Sequence, residues 1–153
     1  YSDTAANLVA AFAGITTHTG TLTATGATTV TQANALDTVS AGVVTATIDG
    51  TATSLATLSG TTGDYTITLT AGGIAATLAE LVSINAATTG VITLNANTIA
   101  ANYTGLAADI AAAFTGITTH TGTLTLTAGA AAATLAQLVT INAATTGVIT
   151  LNA

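Results

Sequence analysis

The chain has 153 residues and a mass of 14.6 kDa, and two residue types, 39 Thr and 36 Ala, make up about half of it. It contains no Lys or Arg, and six acids give a formal charge of -6. Without a cation there is no counterion release to drive phosphate binding, so nucleic acid and anionic membrane surfaces are excluded as partners. The absence of Cys rules out disulfides and thiolate metal sites and leaves the redox compartment open. With 50% hydrophobic and 4% charged residues and a mean hydropathy of +0.73, the chain has the composition of an ordered protein.

No membrane insertion is expected. The most apolar stretch, Ala128 to Ala144, is mostly Ala and is broken by Thr134, Gln137, Thr140 and Asn142. Five aromatic residues are too few for the girdles of a membrane barrel. The chain starts at Tyr1 with no initiator Met or signal peptide, so a processed product or an excerpt is expected rather than a complete gene product.

Self-comparison reveals repeats. Residues 75–96 recur at 132–153 with two differences, Glu80/Gln137 and Ser83/Thr140, and residues 1–25 recur at 103–127 with 17 of 25 identical. A weaker copy aligns residues 36–45 with 84–93. The chain therefore reads as three modules, 1–48, 49–102 and 103–153, forming one continuous unit.

In chain order, a helix-like segment is expected over 4–13, where Leu8, Phe12 and Ile15 form one stripe. Alternating strands follow around Thr21 to Thr23, Thr45 to Thr47 and Thr66 to Thr70. A second helix-like segment covers 75–86, and a strand covers 90–95. The pattern then repeats with a helix over 104–115, a strand over 121–127, a helix over 132–143 and a strand ending at Leu151. Ile67, Leu69, Ile92, Leu94, Leu124, Leu126, Ile149 and Leu151 point inward and Thr points outward. Six strands alternating with short helices predict parallel pairing in an α/β solenoid, with a helix-free parallel β-helix as the alternative.

The residues that could carry chemistry have structural explanations. His18 and His120 share the repeated Thr-His-Thr-Gly and read as solvent-facing residues at strand starts, with no further His to complete a metal site. The six acids read as caps and turn residues, and Asn85, Asn95, Asn142 and Asn152 as ladders that satisfy turn backbone. No nucleophile elbow is present, so no enzyme, cofactor, metal or small-molecule substrate is expected. Thr21, Thr23, Thr45, Thr47, Thr66, Thr68, Thr121, Thr123 and Thr125 would form an exposed Thr face.

Asp3 to Leu8, the Thr-Gly-Thr-Leu-Thr strands and residues 35–42, ALDTVSAG, resemble repeats of very large bacterial, cyanobacterial-type, secreted surface and adhesin-like proteins. That resemblance implies an extracellular, fibrous or adhesive, self-stacking module exported without a cleaved signal. The calcium-binding nonapeptide that accompanies many such proteins is missing, with only Gly72-Gly73 hinting at it, which puts calcium dependence in doubt.

The expected function is a structural module of an extracellular fibre or surface layer, assembling head to tail with itself through uncapped ends at Tyr1, Leu8, Val148, Ile149 and Leu151. Ala153 aligns with Ala96, which precedes a six-residue connector to Tyr103, so the repeat would continue in phase, with last strand pairing to first. The alternative is a ligand-facing module, either an ice-binding Thr face or an adhesin stalk.

Overall fold

The computed structural model describes residues 1–60, 62–70, 73–129 and 131–151. Gly72, Asn152 and Ala153, which figure in the sequence expectations, lie outside the described residues.

The chain begins with β1 (Ser2–Thr4), α1 (Ala5–Ala11), β2 (Leu22–Ala27), α2 (Val30–Val39), β3 (Val44–Gly50), α3 (Ala52–Leu55) and β4 (Gly63–Leu69). It continues with α4 (Leu78–Ala86), β5 (Ile92–Thr93), α5 (Ala96–Ala100), β6 (Tyr103–Gly105) and α6 (Ala107–Phe114). The last elements are β7 (Leu124–Leu126), α7 (Leu135–Ala144) and β8 (Ile149–Leu151). All strand pairs are parallel and run in chain order, β1 to β5 in one sheet and β6 to β8 in another.

This corrects the expected architecture. The chain is a small α/β domain with two parallel sheets, of five and three strands, and seven helices among the described residues, not a stacked solenoid. The seven helices also exclude the helix-free alternative. The discontinuity lies at Asn95, inside the segment expected to be strand. Its side-chain oxygen accepts the Thr98 amide at 2.9 Å and so caps α5, which stops β5 after two residues. Thr98 is fully buried in that helix, and β5 and β6 share no ladder.

Thr is the usual helix starter. Thr29, Thr77 and Thr134 form reciprocal capping boxes with Gln32, Glu80 and Gln137, which satisfy amides that a helix end leaves free. Thr4 and Thr51 cap α1 and α3. Asp37 lies inside α2, and Asp49 and Asp64 lie in β3 and β4, so these three acids do not cap helices as expected.

Hydroxyls also set the spacing between successive turns. Ser40, Thr88 and Thr145 each accept the amide two residues on, at Gly42, Gly90 and Gly147. Ser40 and Thr88 also donate to a carbonyl of the preceding turn or strand, at Gly20 and Tyr65, and the Thr145 hydroxyl lies 3.3 Å from the corresponding carbonyl of Gly122. A Cβ on Gly42, Gly90 or Gly147 would run into those same carbonyls, so close backbone approach requires glycine there.

Ile67, Leu69, Leu94, Leu124 and Leu126 are buried, while Ile92 and Ile149 are half-buried and Leu151 is exposed, which corrects the expectation for Leu151. Leu22, Leu36, Ile48, Leu55, Tyr65, Leu81, Ile84, Ile110, Phe114 and Ile141 complete a core that runs through both sheets. Phe114 is fully buried, and replacing it by Ala is expected to cost about 3–5 kcal/mol in a urea titration. A titration unchanged by this substitution would place Phe114 outside the core.

Candidate functional site

The repeats build the same aromatic cluster twice. Tyr103, Phe114 and His120 meet with ring centroids 5.4, 5.5 and 4.8 Å apart, and Tyr1, Phe12 and His18 meet at 5.3, 5.5 and 4.8 Å. In each, the Tyr stands at the start of a strand, Tyr1 just before β1 and Tyr103 opening β6, the Phe stands at the C-terminal end of α1 or α6, and the His follows in a single parallel bridge, to Ser40 or Thr145. The expectation that both His face solvent is corrected. His120 is fully buried and His18 half-buried, because each ring fills the space between a Tyr and a Phe of the same repeat.

The two clusters differ in what lies against them. The internal one is covered by residues 75–102. The Tyr103 hydroxyl donates to the Ala76 carbonyl at 2.8 Å, and burial pushes that phenol up to about 12. α4 packs on α6, and the Asn85 amide donates to the carbonyls of Ala113 and Thr115 at 3.2 and 2.8 Å. His120 Nε2 lies 2.9 Å from the Ala101 carbonyl, which can only accept, so the proton sits on Nε2. Nδ1 then accepts from the Thr145 hydroxyl 3.0 Å away.

At the start of the chain the corresponding surface is open. Tyr1 is 77% exposed where Tyr103 is 6%, and Ile15 is 41% exposed where Ile117 is 4%. His18 Nε2 is buried without a hydrogen-bond partner, in the place where His120 has Ala101. Leu8 lies on the buried face of α1, so of the expected N-terminal assembly residues only Tyr1 is exposed.

The other end of the chain is open as well. Leu151 is 63% exposed, whereas its counterpart Leu94 is 5%. Leu135 and Val139 on α7 are exposed, whereas Leu78 and Val82 on α4 are half-buried. Ile149 is half-buried, like its counterpart Ile92. Val148 is exposed, but so is its counterpart Val91, and internal packing therefore gives no reason to assign Val148 to an assembly face.

The Thr residues line the sheets in partial rows. Thr23 stands opposite Thr45, Thr47 opposite Thr66, Thr68 opposite Thr93, and Thr104, Thr125 and Thr150 form a row across the second sheet. Thr21, Thr47, Thr66 and Thr121 are exposed, while Thr23, Thr45, Thr68, Thr123 and Thr125 are half-buried. Asp64 stands beside Thr45 and Asp49 beside Thr68, which interrupts the rows, and the Thr45 hydroxyl donates to Thr23 at 3.0 Å. Asn85 and Asn95 bond to backbone as expected, but through separate contacts rather than a ladder, and Asn142 is exposed.

An apolar groove of about 690 Å³ lies between α6 and α7, lined by Leu106, Leu126, Leu138 and Leu151, with Thr127, Thr134 and Gln137 as its polar groups. Among the described residues no three His, Cys, Asp or Glu converge as a metal site, and no helix is long and apolar enough to cross a membrane. Comparison with protein-family models, with curated proteins and with solved structures finds no match.

Burial lowers the pKa of His120 below its ordinary 6.5, and the Ala101 carbonyl opposes this only in part. The unfolded imidazole therefore takes up a proton that the folded one resists. His120 contributes full stability above about pH 6.5 and loses it as the pH falls below that value. Urea midpoints measured from about pH 7.5 down to 5.5 are expected to fall, and to fall less in His120→Gln. Equal pH dependence in the two proteins would contradict this.

Proposed function

We propose that the chain is a structural module that associates with copies of itself head to tail, as part of an extracellular or cell-surface fibre or layer. One observation carries the reading: apolar side chains at both ends of the chain are open to solvent, although their counterparts in the middle of the same chain are buried. Tyr1 against Tyr103 and Leu151 against Leu94 show it most plainly, since both internal counterparts are buried. Single exposed apolar residues are ordinary, but here the internal copy shows that the same residues pack when another repeat adjoins them.

The remaining features agree with this reading. β1 and β8 are edge strands carrying no Pro, Lys or Arg, so the usual protections against lateral association are weak, with Asp3 the one charge in either strand. The ends are unlike each other, and a contact between two different surfaces propagates instead of closing as a twofold dimer does. An extracellular setting follows from the resemblance to bacterial surface repeats. The Thr face supports the ligand-facing alternative less well, because Asp49 and Asp64 interrupt its rows.

Each copy carries a net charge of -6, so copies repel one another and salt should weaken the repulsion. Sedimentation velocity and negative-stain electron microscopy are expected to show species that lengthen with protein concentration and with ionic strength. A monomer at millimolar concentration in about 0.5 M salt would contradict the proposal.

A further inference from the structure

The packing inside the chain specifies how two copies meet. We propose that a second copy seats its residues 1–18 on residues 132–151 of the first, in the register in which residues 103–120 sit on residues 75–94. This rests on the self-association reading and adds the partner surfaces, the register and the kind of contact. α7 of one copy packs on α1 of the next as α4 packs on α6. No strand ladder crosses the joint, because none joins β5 to β6 in the internal example. That differs from the strand-to-strand junction expected from the repeats alone.

The sequence identity of the surfaces carries the inference. Residues 132–151 differ from 75–94 only at Gln137 and Thr140, and residues 1–18 keep the Tyr, Phe and His of 103–120. On the donating side, Leu135, Val139 and Leu151 are exposed where Leu78 and Val82 are half-buried and Leu94 is buried. Asn142 matches Asn85, whose amide donates to the carbonyls of Ala113 and Thr115. In the joint, Asn142 Nδ2 donates to the carbonyls of Ala11 and Ala13, which are the same positions one repeat earlier.

On the receiving side, Tyr1, Ala11 and Ile15 are exposed where Tyr103, Ala113 and Ile117 are buried. The unpartnered His18 Nε2 lies in the same cluster; the group that His120 Nε2 bonds, the Ala101 carbonyl, falls outside residues 75–94, so the joint covers the His18 ring without supplying that acceptor. A small apolar ligand would not explain the paired exposure at opposite ends of the sequence, whereas a second copy covers both sets at once.

One position departs from the internal example. Asp3 replaces Gly105, and a Cβ at 105 would come within 2.6 Å of the Leu78 Cδ2 methyl. Leu135, the counterpart of Leu78, must turn its flexible end aside, and Asp3 must lie close to an apolar surface. Asp3 therefore weakens the joint, and Asp3→Gly is expected to strengthen association.

The test uses two variants at exposed positions, Ile15→Asp and Val139→Asp, with circular dichroism and thermal melts to confirm that each folds. Ile15→Asp keeps its α7 face and Val139→Asp keeps its α1 face. Each alone is expected to be monomeric, and an equimolar mixture is expected to form a species of twice 14.6 kDa and nothing larger. Asn142→Ala, which leaves the apolar surface intact, is expected to weaken wild-type association about tenfold.

If wild type assembles while the mixture stays monomeric, or if either variant still polymerises, the joint is wrong and self-association proceeds elsewhere. Weaker association of Asp3→Gly overturns the register. A wild-type chain that stays monomeric at every concentration overturns both the joint and the self-association reading.

Discussion

The structure depends on how residues 75–102 cover residues 103–120. This contact buries Tyr103, Ile110, Phe114 and Ile117, supplies the carbonyls that Tyr103 and His120 require, and joins the two sheets through α4 and α6 although no strand ladder does so. Without it, each half of the chain would leave an aromatic surface in water. Copies of the same surfaces at Tyr1 and Leu151 are exposed in this structure.

A chain with no cation must achieve specificity through neutral groups, and here the Thr hydroxyl does most of it. It caps five helices, links neighbouring strands and satisfies turn amides beside glycine. Each such bond contributes only about 0.5–1.5 kcal/mol net, but a buried amide left without one costs more, so the pattern fixes register more than it adds stability. Ala has a complementary role, since its small side chain lets helices approach closely and loses no rotamer entropy on burial. Tyr65 shows the cost of exceptions: its hydroxyl is buried without a partner, and burial, with Asp37 adding to it, pushes the phenol up to about 12.

Repeats made part of the fold legible in the sequence. The helical stripes at Leu8 and Phe12 and at Ile110 and Phe114 locate α1 and α6, and the near-identical 75–96 and 132–153 segments locate α4 and α7. α2 is hidden in the sequence because Thr and Ala dilute its apolar period, although Thr29 and Gln32 spell a capping box. α3 and α5 are too short to show a period. The break between the sheets depends on Asn95 acting as a cap, which alternation over 90–95 conceals. At the candidate site, repeat phase marks Tyr1 as the counterpart of Tyr103 and Leu151 as that of Leu94, and the exposure of Leu151 is seen only in the structure. The burial of the His rings was not, because it arises from a Tyr and a Phe that are distant in sequence and meet only after folding.

Hydrogen exchange measured segment by segment at increasing protein concentration tests the central claim most directly, since it reads which amides become protected as copies meet. Protection is expected to rise together in Ala5–Ala11 and Leu135–Ala144 and to stay constant in Ala52–Leu55, which lies away from both ends. Protection that rises in only one of the two end helices, or along the Thr rows of β3 and β4, would contradict the account.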